Sequence, residues 1–61
     1  MSMVDEELTM RGDYYYQIIF NDGRVIRRER VSKKLAVSVS ETMSAEMLLF
    51  EVHEVSWGVM Q

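Results

Sequence analysis

A chain of 61 residues with no cysteine, a single histidine and a net charge of −3 makes at most one small domain, and a domain of this size buries only about 60% of its unfolded surface. The missing cysteines exclude disulfides, thiolate chemistry and the usual structural zinc site. Hydrophobic residues at 48% against 28% charged describe a globular chain and not a disordered one.

Domains this small usually carry a disulfide, a metal or a partner subunit as a staple. With the first two removed, and with no cofactor or metal site expected, a homodimer or a constitutive complex is the expectation. No run approaches the roughly 18 to 20 apolar residues that span a bilayer. The opening MSMVDEEL has neither the basic nor the apolar region of a signal peptide. No membrane association and a cytoplasmic location are expected.

Residues 1 to 12 hold Asp5-Glu6-Glu7 and end in Arg11-Gly12. They read as a mobile acidic arm with Gly12 as the break before the first strand; a short helical turn at 5–10 is the alternative. Residues 14 to 31, YYYQIIFNDGRVIRRERV, read as a β-hairpin: aromatic and β-branched residues fill its first strand, and Asp-Gly is a strong hairpin signal. A two-residue Asp22-Gly23 loop pairs Phe20 with Val25, Ile18 with Arg27, Tyr16 with Glu29 and Tyr14 with Val31, and puts these eight on one face. A three-residue Asn21-Asp22-Gly23 loop is the competing register and reverses the facing of the second strand. The first is preferred because it gathers Phe20, Val25, Tyr14 and Val31 towards the core.

The segment 32 to 45, SKKLAVSVSETMSA, fits two patterns. Ser32 can N-cap a helix with Leu35, Ala36, Val39 and Met43 at helical spacing, while Leu35, Val37 and Val39 also alternate as in a strand. A helix covers the ribbon more economically, which favours it. Phe50 and Val52 alternate with Glu51 and His53, so a strand is expected over about 48–55, with Gly58 loosening the tail and Trp57 packing on the sheet edge or on a partner; a helix over 42–52, with Met43, Met47 and Phe50 at helical spacing, is the alternative. The order is β-β-α-β, a small antiparallel sheet with one helix, α+β in class, in a single domain over 1–61; a four-stranded all-β arrangement is the alternative. A free sheet edge invites pairing, and the third strand meeting its counterpart across a two-fold axis closes it.

Little in the chain points to catalysis. His53 stands between Glu51 and Glu54 and reads as a solvent-facing strand residue. Three isolated glycines make no phosphate loop. Six of the seven basic residues, Arg24, Arg27, Arg28, Arg30, Lys33 and Lys34, lie between 24 and 34, while nine of the ten acids lie outside that segment. A basic strand beside Tyr14, Tyr15 and Tyr16 could bind nucleic acid through Arg27, Arg28, Arg30, Lys33 and Lys34. The acidic chain as a whole makes a solvated, internally balanced strand the better expectation, and direct nucleic-acid binding the lesser one.

Strand, Asp22-Gly23 turn, strand, the Val31-Ser32 junction and AEMLLFEVHEV at 45–55 together resemble the small dimeric uracil-DNA glycosylase inhibitors of protein-primed Bacillus phages. The resemblance covers 14–55. It implies a homodimer joined through the third strands, at Leu48, Phe50, Val52, Val55 and Trp57. It further implies a joint helical surface that mimics DNA and occludes the DNA-binding face of a host repair enzyme, inside the host cytoplasm. Glu29, Glu41 and Glu46 would stand where phosphates lie. Residues 32 to 49 hold no aromatic side chain, so Leu35, Ala36 and Val39 would form the pocket for the enzyme's apolar side chain.

Overall fold

The computed structural model describes residues 12–61. Its elements are β1 (Tyr14–Phe20), β2 (Val25–Val31), α1 (Lys33–Ala45), α2 (Met47–Phe50) and β3 (Val52–Val59). The three strands form one antiparallel sheet in the order β2-β1-β3, so the fold is α+β. Of the acidic arm, residues 1 to 11 lie outside the described residues.

The hairpin uses the three-residue loop and not the two-residue one. Phe20 donates to the Arg24 carbonyl at 2.9 Å, and Gly23 donates to the Phe20 carbonyl at 3.0 Å. The cause is conformational. A two-residue turn of the common primed type needs a positive φ at Asp22 or at both central residues, whereas here Gly23 alone in the loop is left-handed, at φ 97°. Asp22 instead accepts the Arg24 amide at 3.0 Å and its guanidinium Nε at 2.9 Å.

This register pairs Ile18 with Ile26, Tyr16 with Arg28, Gln17 with Arg27 and Tyr15 with Glu29. The expected pairings of Phe20 with Val25, Ile18 with Arg27 and Tyr16 with Glu29 are therefore wrong by one residue. Val25, Arg27 and Glu29 turn to the face opposite Tyr14, Tyr16 and Ile18. A β-bulge then corrects the slip: Arg30, at φ 60°, is the extra residue, and Val31 returns opposite Tyr14 as expected.

Ser32 starts α1, its Oγ accepting the Leu35 amide at 3.0 Å, which satisfies one of the helix's orphan donors. The helix packs across β1 and β3 and leaves β2 exposed from Val25 to Arg30. Ile18, Val31, Ala36 and Val52 are the buried core, with Leu35, Val39 and Met43 half-buried around them. The apolar stripe at helical spacing thus faces the sheet.

The third strand begins later than its sequence suggests. Met47 to Phe50 form one helical turn, and Glu51 ends it in the left-handed conformation at φ 55°. Its carbonyl accepts the Asn21 amide at 2.8 Å, which ties the start of β3 to the hairpin loop. Leu48, Leu49 and Phe50 are consequently not strand residues. Phe20 then pairs with Val52 and Ile19 with Glu54, leaving His53 as the extra residue of a second irregularity. The strand runs through Gly58 instead of loosening there, because the Tyr15 ring lies over it: a Cβ at 58 would stand 3.1 Å from Tyr15 Cε2.

Candidate functional site

Three surfaces of this small sheet carry chemistry, and they follow from the register. The first is the sheet face away from α1. There Arg27 reaches in three directions: Nε donates to Glu29 Oε2 at 2.7 Å, Nη1 donates to Gln17 Oε1 at 3.1 Å, and Cζ lies 4.3 Å from the Tyr15 ring centroid. Charge and π-face are satisfied within one cross-strand cluster. Arg24, at the loop, is likewise tied to Asp22 and stacks over Phe20 at 4.4 Å. Asp22 has its carboxyl pKa held below the usual value, first by the Arg24 backbone amide and then by the Arg24 side chain.

The second surface is the basic end of the molecule. Among the described residues, Arg28, Arg30 and Lys33 carry no ion pair. Arg28 points to the helix side of the sheet, Arg30 sits in the bulge, and Lys33 and Lys34 open α1. An open depression on the flank of α1 is lined by Ser32, Lys33, Lys34, Val37, Ser38 and Glu41.

The third surface is apolar. Leu48 is 95% exposed, Leu49 73% and Phe50 46%, all on α2. The neighbouring β3 is a sheet edge, carrying exposed Trp57 and Val59. Trp57 packs on Tyr14 with ring centroids 5.9 Å apart. Glu46 and Glu51 bound α2 on either side, and no lysine or arginine follows Lys34 in the chain.

The expected partner-binding set is thereby divided. Glu29 lies on the face opposite α1 and is paired with Arg27, whereas Glu41 is exposed on α1 and Glu46 is half-buried at the α1–α2 junction. These three glutamates do not share one surface. Ala36 has no exposed area because it is the helix residue pressed against the sheet, so it offers nothing to a partner; Leu35 and Val39 are half-buried beside it. Of the expected dimer contacts, Val52 is core, Val55 is half-buried, and Leu48, Phe50 and Trp57 are exposed. Leu49, exposed beside them, was missed because a strand reading turns alternate residues inward; its helical turn exposes both leucines. Among the described residues no group of three or more His, Cys, Asp or Glu could hold a metal ion, and no helix is long and apolar enough to cross a membrane.

No family model, no curated protein and no solved structure matches the chain.

Proposed function

We propose that this chain is a non-catalytic binding protein that works as a homodimer and covers the nucleic-acid site of a partner protein. The observation that carries the reading is the acid-bordered apolar end: Leu48, Leu49 and Phe50 are exposed beside β3, an edge strand among the described residues. Three adjacent apolar side chains on a single helical turn are costly to leave wet, and an edge strand next to them offers backbone hydrogen bonds to a second copy. Pairing of β3 with its counterpart covers both at once.

Such a dimer has a definite charge layout. The β2 strands, on the opposite edge of each sheet, become the outer ends and take the arginines with them. Glu46 and Glu51, at the two ends of α2, come to the middle with it in both copies. A central acidic band between two helices is complementary to a cationic nucleic-acid cleft. The resemblance to glycosylase inhibitors supplies the specific partner, uracil-DNA glycosylase, and DNA mimicry the mode. Adding the purified chain at micromolar excess to a uracil-excision assay tests this. Excision falls in proportion to added chain; unchanged excision removes that partner.

Direct nucleic-acid binding through β2 is the second reading, motivated by Arg28, Arg30 and Lys33. It is weakened by Arg24 and Arg27, which are already engaged by Asp22, Glu29 and Gln17. Salt-dependent retention of labelled strands at low ionic strength, lost on R28A/R30A, would favour it.

A further inference from the structure

The hairpin loop contains a chemically vulnerable bond. We infer that Asp22-Gly23 is a site of spontaneous aspartate isomerisation and that Arg24, gripping the Asp22 side chain, is the residue that guards it.

Sequence and exposure set the hazard. Among the aspartates of the chain, Asp22 alone precedes a glycine, whose amide carries no side chain to hinder an approach. Asn21 to Arg24 are exposed. A Cβ built at Gly23 would meet nothing within 4 Å among the described residues, so no packing among them shields the bond. The Gly23 nitrogen, on losing its proton to solvent, can attack Asp22 Cγ. A side-chain oxygen then leaves as water, and a five-membered succinimide closes. Water reopens the ring at either carbonyl. One opening returns aspartate; the other routes the main chain through Cβ and Cγ and leaves the α-carboxylate free. The water lost is the water regained, and the mass is unchanged.

Hydrogen bonds stand where packing does not, and they occupy both reacting groups. The Gly23 amide donates to the Phe20 carbonyl at 3.0 Å, which opposes loss of its proton. The Asp22 carboxylate accepts the Arg24 amide on Oδ1 at 3.0 Å and Arg24 Nε on Oδ2 at 2.9 Å. Both oxygens are thereby drawn forward, past Gly23. The guanidinium is itself anchored, with Cζ 4.4 Å from the Phe20 ring centroid. Ionisation acts in the same direction, because the oxygen leaves readily only from the protonated acid. The Arg24 backbone amide and then its side chain hold the Asp22 pKa down.

The consequence reaches beyond the loop. The isomerised linkage lengthens the main chain by a carbon atom where loop conformation sets the register of β2. Asn21, in the same loop, donates to the Glu51 carbonyl at 2.8 Å and so ties it to the start of β3. The inference does not rest on the partner proposed above.

The test ages the full chain, R24A and S32A in warm neutral buffer. Isoaspartate is counted by enzymatic methylation of its free α-carboxylate and located by peptide mapping. R24A accumulates it at position 22 faster than the wild type by about two- to fivefold, the range that an exposed ion pair spans. S32A, which loses the helix cap away from the loop, stays at the wild-type rate. In concentrated urea all three isomerise at one common, faster rate. Equal rates for folded wild type and R24A overturn the inference. So does an S32A rate that rises as far as that of R24A, or a wild type no slower in buffer than in urea.

Discussion

Leu48 is the most direct handle on self-association. It is 95% exposed in the single chain, and full burial of a leucine side chain contributes about 1.5–3 kcal/mol. If α2 is covered in a dimer, Leu48→Ala removes about 2 kcal/mol from each copy's contact, and the two copies together lose about 4 kcal/mol. That is a rise in dissociation constant of roughly a thousandfold. The fold itself is nearly unaffected, because the side chain touches little of its own chain. Sedimentation equilibrium across nanomolar to millimolar concentration measures the constant, and circular dichroism checks the fold. A wild-type chain that stays monomeric at 100 μM refutes the reasoning, as does a variant that dimerises as tightly as the wild type.

Other predictions concern the frame that holds these surfaces. Arg30 and Glu51 sit at φ 60° and 55°, where a non-glycine residue costs about 1–2 kcal/mol; R30G and E51G should each stabilise the fold by about 0.5–1 kcal/mol after glycine's own entropy cost, read as a higher urea midpoint. Ser32→Ala removes the cap on the Leu35 amide and should destabilise by about 1 kcal/mol. The Arg24 backbone amide, with the Arg24 side chain, holds the Asp22 carboxyl below the usual carboxylate pKa in the folded state. Its contribution is therefore complete above that value and is lost as pH falls through the depressed one; D22N should flatten the stability profile below about pH 4.

Much of the fold was legible because local and global preferences agree. Tyr14 to Phe20 has strand composition, Ser32 caps a segment whose apolar residues recur at helical spacing, and both became the expected elements. What failed turned on backbone angles that residue identity does not announce. The facing of β2 depends on whether Asp22 takes a positive φ, and an Asp-Gly pair allows both loops. The bulge at Arg30 puts an arginine where a glycine would have signalled it. The turn at 47–50 depends on Glu51 adopting the left-handed conformation, again without a glycine to mark it.

The candidate surfaces were less legible for the same reason. Reading 48–55 as a strand splits Leu48 and Leu49 between two faces, whereas one helical turn exposes both. Reading the hairpin in the two-residue register turns Glu29 and Arg27 towards the helix, whereas the observed one sends them to the open face to pair. Ala36 illustrates the other limit: its place in the apolar stripe was visible, but that stripe could face a partner or the chain's own sheet, and only packing decides.

Competition for DNA tests the central claim most directly. Binding of uracil-DNA glycosylase to a labelled uracil-containing duplex is measured by anisotropy as the chain is titrated in. If the chain covers the nucleic-acid site, the apparent dissociation constant for the duplex rises linearly with free chain and no ternary species forms. A ternary complex of enzyme, duplex and chain, or duplex affinity unchanged at saturating chain, contradicts the account.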